Sequence, residues 1–113
     1  MNTSRVGSAG EQAASAFLVR QGFEVLECNF KTPRCEIDII ARKRDCLYFV
    51  EVKYRQNDYQ GGGLDAITTK KQLQMRRAAE IWLQSHPWHG EMTLSAIEVS
   101  ANYEVTEFIE SIE

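Results

Sequence analysis

The sequence predicts an α/β domain: a helix, a three-stranded antiparallel meander, a second helix and a further strand, arranged as a mixed central sheet with helices on its faces. Three observations carry that expectation. Apolar residues recur at helical spacing over residues 8–22 and again from about residue 65 to residue 85. Between them lie three apolar runs joined by very short connections, which suit antiparallel neighbours. The length of 113 residues, with 43% apolar and 26% charged residues, suits one domain spanning 1–113 around a single core.

Each element has its own signal. Ser8 to Gly22 reads as an amphipathic helix: Ser8 can cap it, Glu11 follows three residues later as in a capping box, and Gly22 closes it. Its apolar residues are Ala13, Ala14, Phe17 and Leu18. FEVLECNF alternates as a first strand, and KTPR turns around Pro33. EIDIIARK is a second strand, Arg44-Asp45 a tight connection, and CLYFVEVKYR a third strand. NDYQGGG, residues 57–63, has the composition of a mobile loop, and no Gly-Lys-Ser/Thr follows its glycines as a phosphate-binding loop would require. The second helix runs from Asp65 or Ala66 to about Ser85, where HPWHG stops it. MTLSAIEVS gives a fourth strand, and YEVTEFIESI a last strand or short helix.

Composition narrows the function classes. No apolar run approaches the roughly 18 residues of a membrane-spanning helix, and the first ten residues lack the apolar region of a signal peptide. A soluble, cytoplasmic protein with no membrane partner is expected. Cys28, Cys35 and Cys46 lack the paired spacings of zinc sites and read as buried, reduced thiols. His86 and His89 flank Pro87-Trp88 without other ligands at metal-binding spacing and read as turn residues. Net charge is −3, but it is unevenly spread. The acidic C-terminal segment 104–113 holds four glutamates and no base, whereas residues 31–77 hold 11 basic and 6 acidic residues. A basic centre is compatible with phosphate binding or with an ordinary solvated face.

The informative stretch is CEIDIIARKRDCLYFVEVKYR, residues 35–55, in which two core-like strands carry Glu36, Asp38, Glu51 and Lys53. Strict alternation places Glu36, Asp38 and Ile40 on one face of the second strand, and Leu47, Phe49, Glu51 and Lys53 on one face of the third. Charges at such depth are costly unless paired or bound to metal. Two carboxylates on rigid strands can hold Mg²⁺ while leaving positions for water and a phosphate oxygen. A lysine two residues from the second acid can orient the attacking water and offset developing charge on the phosphate. The competing reading is a buried Glu51–Lys53 or Asp38–Lys53 ion pair. Glu11 lies at the edge of the first helix's apolar stripe and serves either a capping box or the acidic site. On the second helix Ile67, Gln74, Met75, Ala78, Ile81 and Trp82 share a face with Lys71 in its middle. There Lys71 is either a phosphate contact or a counter-charge to the carboxylates.

Asp38, then twelve residues, then Glu51-Val52-Lys53 resembles the core motif of the PD-(D/E)XK nuclease superfamily, which includes restriction enzymes and archaeal Holliday-junction resolvases. More narrowly, nearly the whole chain resembles the YraN-like family of small bacterial proteins. The matching residues are Gly10-Glu11, Asn29, Glu36-Ile37-Asp38, Phe49-Val50-Glu51-Val52-Lys53 with Arg55, Gly61 to Gly63, and Lys71 followed by an Ala-rich stretch to Trp82-Leu83. The resemblance implies a restriction endonuclease-like three-layer fold. It also implies a Mg²⁺- or Mn²⁺-dependent endonuclease acting on nucleic acid, DNA in preference to RNA, branched or structured DNA included. The sequence shows no ring of aromatics for base readout, so backbone rather than sequence readout is expected.

Asp38 and Glu51 would be the metal ligands, with Glu11, Asp38, Glu51 and Lys53 the catalytic set and Lys71 and Arg55 contacting substrate. Cutting both strands of a duplex would need a homodimer. Two departures stand out: Cys35 replaces the glycine usual before Glu-Ile-Asp, and Leu94, Ser95 and Ala96 stand where the family has Arg-Phe-Asp. A catalytically silent nucleic-acid-binding or adaptor module is the alternative expectation, because a fold does not guarantee turnover.

Overall fold

The computed structural model describes residues 9–55 and 67–112. Its elements are α1 (Ala9–Arg20), β1 (Glu24–Lys31), β2 (Glu36–Lys43), β3 (Cys46–Tyr54), α2 (Thr69–Ser85), β4 (Glu91–Val99) and β5 (Val105–Ile109). The expected Ser8 cap, the 57–63 loop and the proposed helix start at Asp65 or Ala66 lie outside the described residues.

The strands form one mixed sheet in the order β1-β2-β3-β4-β5. β1, β2 and β3 are an antiparallel meander, β4 runs parallel to β3, and β5 returns antiparallel to β4. A parallel β3–β4 pair needs a long crossover, and α2 lies within it. The last segment, expected as a strand or a short helix, is therefore a strand at the sheet edge.

Local chemistry explains the boundaries. At the end of α1, Phe23 N donates to Leu18 O at 2.9 Å and Gly22 N donates to Val19 O at 3.0 Å. Gly22 has φ +93°, so this is a Schellman stop that only a residue without Cβ adopts at low cost. Phe23 then packs in the same cluster as Leu18. The second helix begins later than its apolar period suggests, because Thr68 has extended backbone and its hydroxyl accepts from Lys71 N at 3.1 Å. Ile67 therefore precedes the helix rather than belonging to its apolar face.

Both sheet faces are covered. One face holds Ile37, Ile40, Leu47, Phe49 and Leu94 against Met75, Ala78, Ala79 and Trp82 of α2. The other holds Ile39, Ala41, Val50, Ile97 and Val99 against Ala14 and Leu18 of α1. The two-sided apolar character of β2 and β3 follows from this layering. One expectation fails locally. Ile37 packs in the same cluster as Ile40, whereas strict alternation would have put it with Ile39. The slip falls at Asp38, where the β2–β3 ladder also ends: its last pair is Ile39 with Val50.

Candidate active site

Beyond Ile39 and Val50 the two strands part, and Asp38 fills the opening. Its Oδ2 accepts a hydrogen bond from Val52 N at 2.7 Å, so a side chain replaces the missing strand–strand partner. Asp38 is also within hydrogen-bonding reach of the Glu11 and Glu51 carboxyls. Burial, then the charge of Glu51, pushes the Asp38 carboxyl up to about 8, against the lowering effect of the Val52 N–H. Burial also raises Glu51, opposed first by Lys71 and then by Lys53. Glu11 is raised by burial and by the charge of Glu36. Acids from α1, β2 and β3 therefore meet at one point and repel one another.

The cations around this point differ in their contacts. Lys71 Nζ lies 3.6 Å from Glu51 Oε1, so α2 does bring its core-face lysine to the carboxylates. Lys53, two residues beyond Glu51 on β3, acts on the Glu51 charge but makes no ion pair within 4 Å among the described residues. The proposed Glu51–Lys53 and Asp38–Lys53 bridges are absent there, and Lys71 takes that role. Arg55 reaches away, with Nη1 3.8 Å from Oε1 of the buried Glu98 on β4. Glu98 Oε1 also accepts from Thr106 Oγ1 at 2.7 Å, which ties the end of β3 to β4 and β5.

One contributor, Asn29, was poorly marked in the sequence. Asn29 adopts φ +59°, and with its amide turned in the one orientation that satisfies both of its ends, its nitrogen donates to Glu11 Oε1 and Glu36 Oε2 at 3.0 Å each. It clamps a helix acid to a strand acid. Only its family match singled it out, because an isolated Asn in a strand carries no chemical signature. Glu36 enters as the second acid held by this clamp. The departures from the family pattern are also accounted for. Cys35 is buried in the α2-side core, Leu94 and Ala96 are fully buried, and the Ser95 hydroxyl donates to Glu110 O, anchoring the chain after β5.

Cys28 is exposed and Cys46 half-buried, so burial does not describe all three thiols, although all three are free. His86 is exposed at the α2 end, stacked on Trp82 at 3.9 Å. Trp88 is half-buried against the α2-side core, and its Nε1 donates to Glu91 O at 2.8 Å.

Oxygen donors on rigid strands, mutually repelling and partly neutralised by one lysine, suit a hard divalent cation. No group of three or more His, Cys, Asp or Glu side chains among the described residues is arranged to hold a metal ion by itself. Asp38 and Glu51 alone would leave most of an octahedral shell to water and phosphate oxygens, as Mg²⁺ prefers.

The sequence profile of the uncharacterised protein family UPF0102 matches residues 10–105. This chain belongs to that family. Residues from Glu11 on α1 to Arg55 at the end of β3 thus fall within the family's shared region. Among its relatives, a UPF0102 protein of Cytophaga hutchinsonii is 36% identical over 94 residues, covering 83% of each chain. One from a Bradyrhizobium species is 44% identical over 80% of this chain and 65% of its own. One from Alkalilimnicola ehrlichii is 46% identical over 71% of this chain and 64% of its own. The matched region thus spans slightly less than two thirds of those last two relatives. Among the described residues no helix is long and apolar enough to cross a membrane.

Proposed function

We propose that this UPF0102 chain is a Mg²⁺-dependent endonuclease of the PD-(D/E)XK kind, with a restriction endonuclease-like core, that hydrolyses phosphodiester bonds of DNA. The observation that carries this reading is the convergence of Asp38 and Glu51 where β2 and β3 part, with Glu11 and Lys71 closing on the same point. Asp38 and Glu51 would hold Mg²⁺ or Mn²⁺, and a bound ion supplies Lewis-acid polarisation of the phosphate and a more acidic water. Lys53, free of an ion pair within 4 Å among the described residues, can hold the attacking water and offset charge building on the phosphate. Lys71 offsets Glu51 and faces the same phosphate. Asn29 keeps Glu11 turned toward Asp38. Arg55 reaches substrate only by leaving Glu98, so it acts first as a brace for the end of β3.

Among the described residues the largely exposed aromatic rings are Tyr54 and Tyr103, which lie against each other with centroids 6.0 Å apart rather than forming an array for base stacking, and this supports recognition of backbone and shape. One copy offers one such site, so cutting both strands of a duplex requires a homodimer. The test is a nicking assay on supercoiled, branched and single-stranded DNA with Mg²⁺ and Mn²⁺, beside calorimetry of metal binding. Asp38→Asn and Glu51→Gln should each lose cleavage and metal binding while staying folded, and cleavage retained by either purified variant overturns the reading. The Lys71–Glu51 contact favours one alternative, a silent nucleic-acid-binding or adaptor module in which the pair is structural. Metal binding without cleavage on any of these substrates would select it.

A further inference from the structure

A cleft of about 510 Å³ lies between the β1–β2 turn and α2, lined by Thr32, Pro33, Arg34, Arg77 and Ile81. Its chemistry is one-sided. Two of the five lining residues are arginines and none is acidic. Neither arginine makes an ion pair within 4 Å among the described residues. The exposed lining is chiefly apolar, so the two arginines contribute mostly their aliphatic stems to the cleft while both residues stay exposed to solvent, where their guanidiniums can meet a ligand lying along it. Between them Pro33 and Ile81 form an apolar floor. That combination suits a sugar–phosphate chain, whose phosphates take the forked guanidinium donors while its sugars lie on apolar surface.

Position links this cleft to the carboxylates. The turn that carries Arg34 runs directly into Cys35, whose thiol senses the charges of Lys71, Glu51 and Asp38. On α2, Lys70, Gln74, Arg77 and Ile81 fall on one stripe, since steps of three and four residues return to the same side of a helix. Lys70 and Arg77 are seven residues apart, about 10.5 Å along the axis at ~1.5 Å per residue. Lys71, beside Lys70, reaches Glu51. The cations therefore continue from the acidic point along α2 to the cleft.

We infer that Arg34 and Arg77, with Lys70 leading to them, form a phosphate track that seats the nucleic-acid backbone beside the phosphodiester presented to Asp38 and Glu51. This rests on the nuclease reading for the identity of the scissile group, but the track itself predicts backbone binding whether or not the chain cleaves. It recognises charge spacing rather than base sequence.

The experiment is fluorescence polarisation of a labelled DNA duplex with the full chain in excess chelator, titrated with salt so that binding is read without cleavage. Arg34→Ala/Arg77→Ala should weaken binding at least tenfold at fixed salt and lower the slope of log K against log salt by about 2, close to one phosphate per cation. Calorimetric Mg²⁺ affinity should stay within about twofold, which also reports that the variant is folded. Arg44→Asn, a cation in the β2–β3 turn at the far end of β2, should leave both slope and affinity unchanged.

An unaltered slope in the double variant, an equal loss from Arg44→Asn, or polyglutamate displacing the duplex charge for charge would each overturn the track. The last result would point to an acidic protein partner. If the wild-type chain binds with the expected slope yet nicks nothing when Mg²⁺ is restored, the track stands and the nuclease reading falls. If it nicks DNA while the double variant keeps both slope and affinity, the nuclease reading stands and the track falls.

Discussion

Asp38 concentrates the residue-scale physics. Its carboxyl moves from 3.8 to about 8 because burial and Glu51 disfavour the charged form more than the Val52 N–H favours it. The folded state thus holds this proton more tightly than the unfolded chain does. That stabilising contribution is complete below about pH 4 and is lost as pH rises through about 8. In urea titrations without metal, the unfolding free energy of the wild type should fall across this window, and Asp38→Asn should flatten the fall. The Asn29 clamp gives a second test. Asn29→Gly keeps the left-handed backbone but removes the donor shared by Glu11 and Glu36, so it should cost about 1 kcal/mol and weaken Mg²⁺ binding in calorimetry. Unchanged metal affinity would leave Asn29 a purely structural residue. Asp38, Glu51 and Lys53 were legible in the sequence because charges inside apolar strands break a simple pattern. Asn29 was not, because its importance lies in two partners, one seven residues ahead and the other eighteen behind.

At the scale of elements, the site depends on a sheet that is well formed at one end and open at the other. Cys46 to Tyr54 pair continuously with β4, whereas β2 leaves β3 after Ile39. One edge of β3 is thus held while the other is free to accept the Asp38 side chain. Alternation alone assigned Ile37 to the wrong cluster, because a period of two assumes that the ladder continues. At the closed end, the chain before β4 passes very near the β2–β3 turn. A Cβ at Gly90 would sit 2.1 Å from Asp45 O and 3.0 Å from the Trp88 ring, while Glu91 N donates to that same carbonyl at 2.8 Å. Gly90→Ala should therefore cost on the order of 1–3 kcal/mol in chemical denaturation, with little effect on metal affinity at the far end of the sheet. In α2 the apolar wheel correctly selected Met75, Ala78 and Trp82. It could not foresee that Trp82 Nε1 donates to Glu27 of β1 at 2.8 Å. Trp82→Phe keeps most of the packing and isolates that hydrogen bond, so a loss of about 1–2 kcal/mol is expected in the same assay.

Across the whole molecule, folding and metal binding should be one linked equilibrium. A cation that binds only the folded carboxylate pair stabilises it by about 2.7 kcal/mol at a hundredfold excess over its dissociation constant. Thermal unfolding should shift upward with Mg²⁺ and return with chelator in the wild type, with no shift in Asp38→Asn. The sequence by itself determined the two helices, the antiparallel meander, the covered sheet and the four misplaced charges Glu36, Asp38, Glu51 and Lys53 on β2 and β3, because these follow from local periodicity and the cost of burying charge. It also supplied Lys71, as a cation set in an apolar stripe. Only the tertiary structure decided which charges meet. Glu51 pairs with Lys71 rather than Lys53, and Arg55 turns to a buried Glu98. Arg34 of the β1–β2 turn and Arg77 of α2, 43 positions apart in the chain, border one cleft. These outcomes rest on distances between segments far apart in the chain, set by how the strands part and how α2 crosses the sheet, and local pattern carries no term for either.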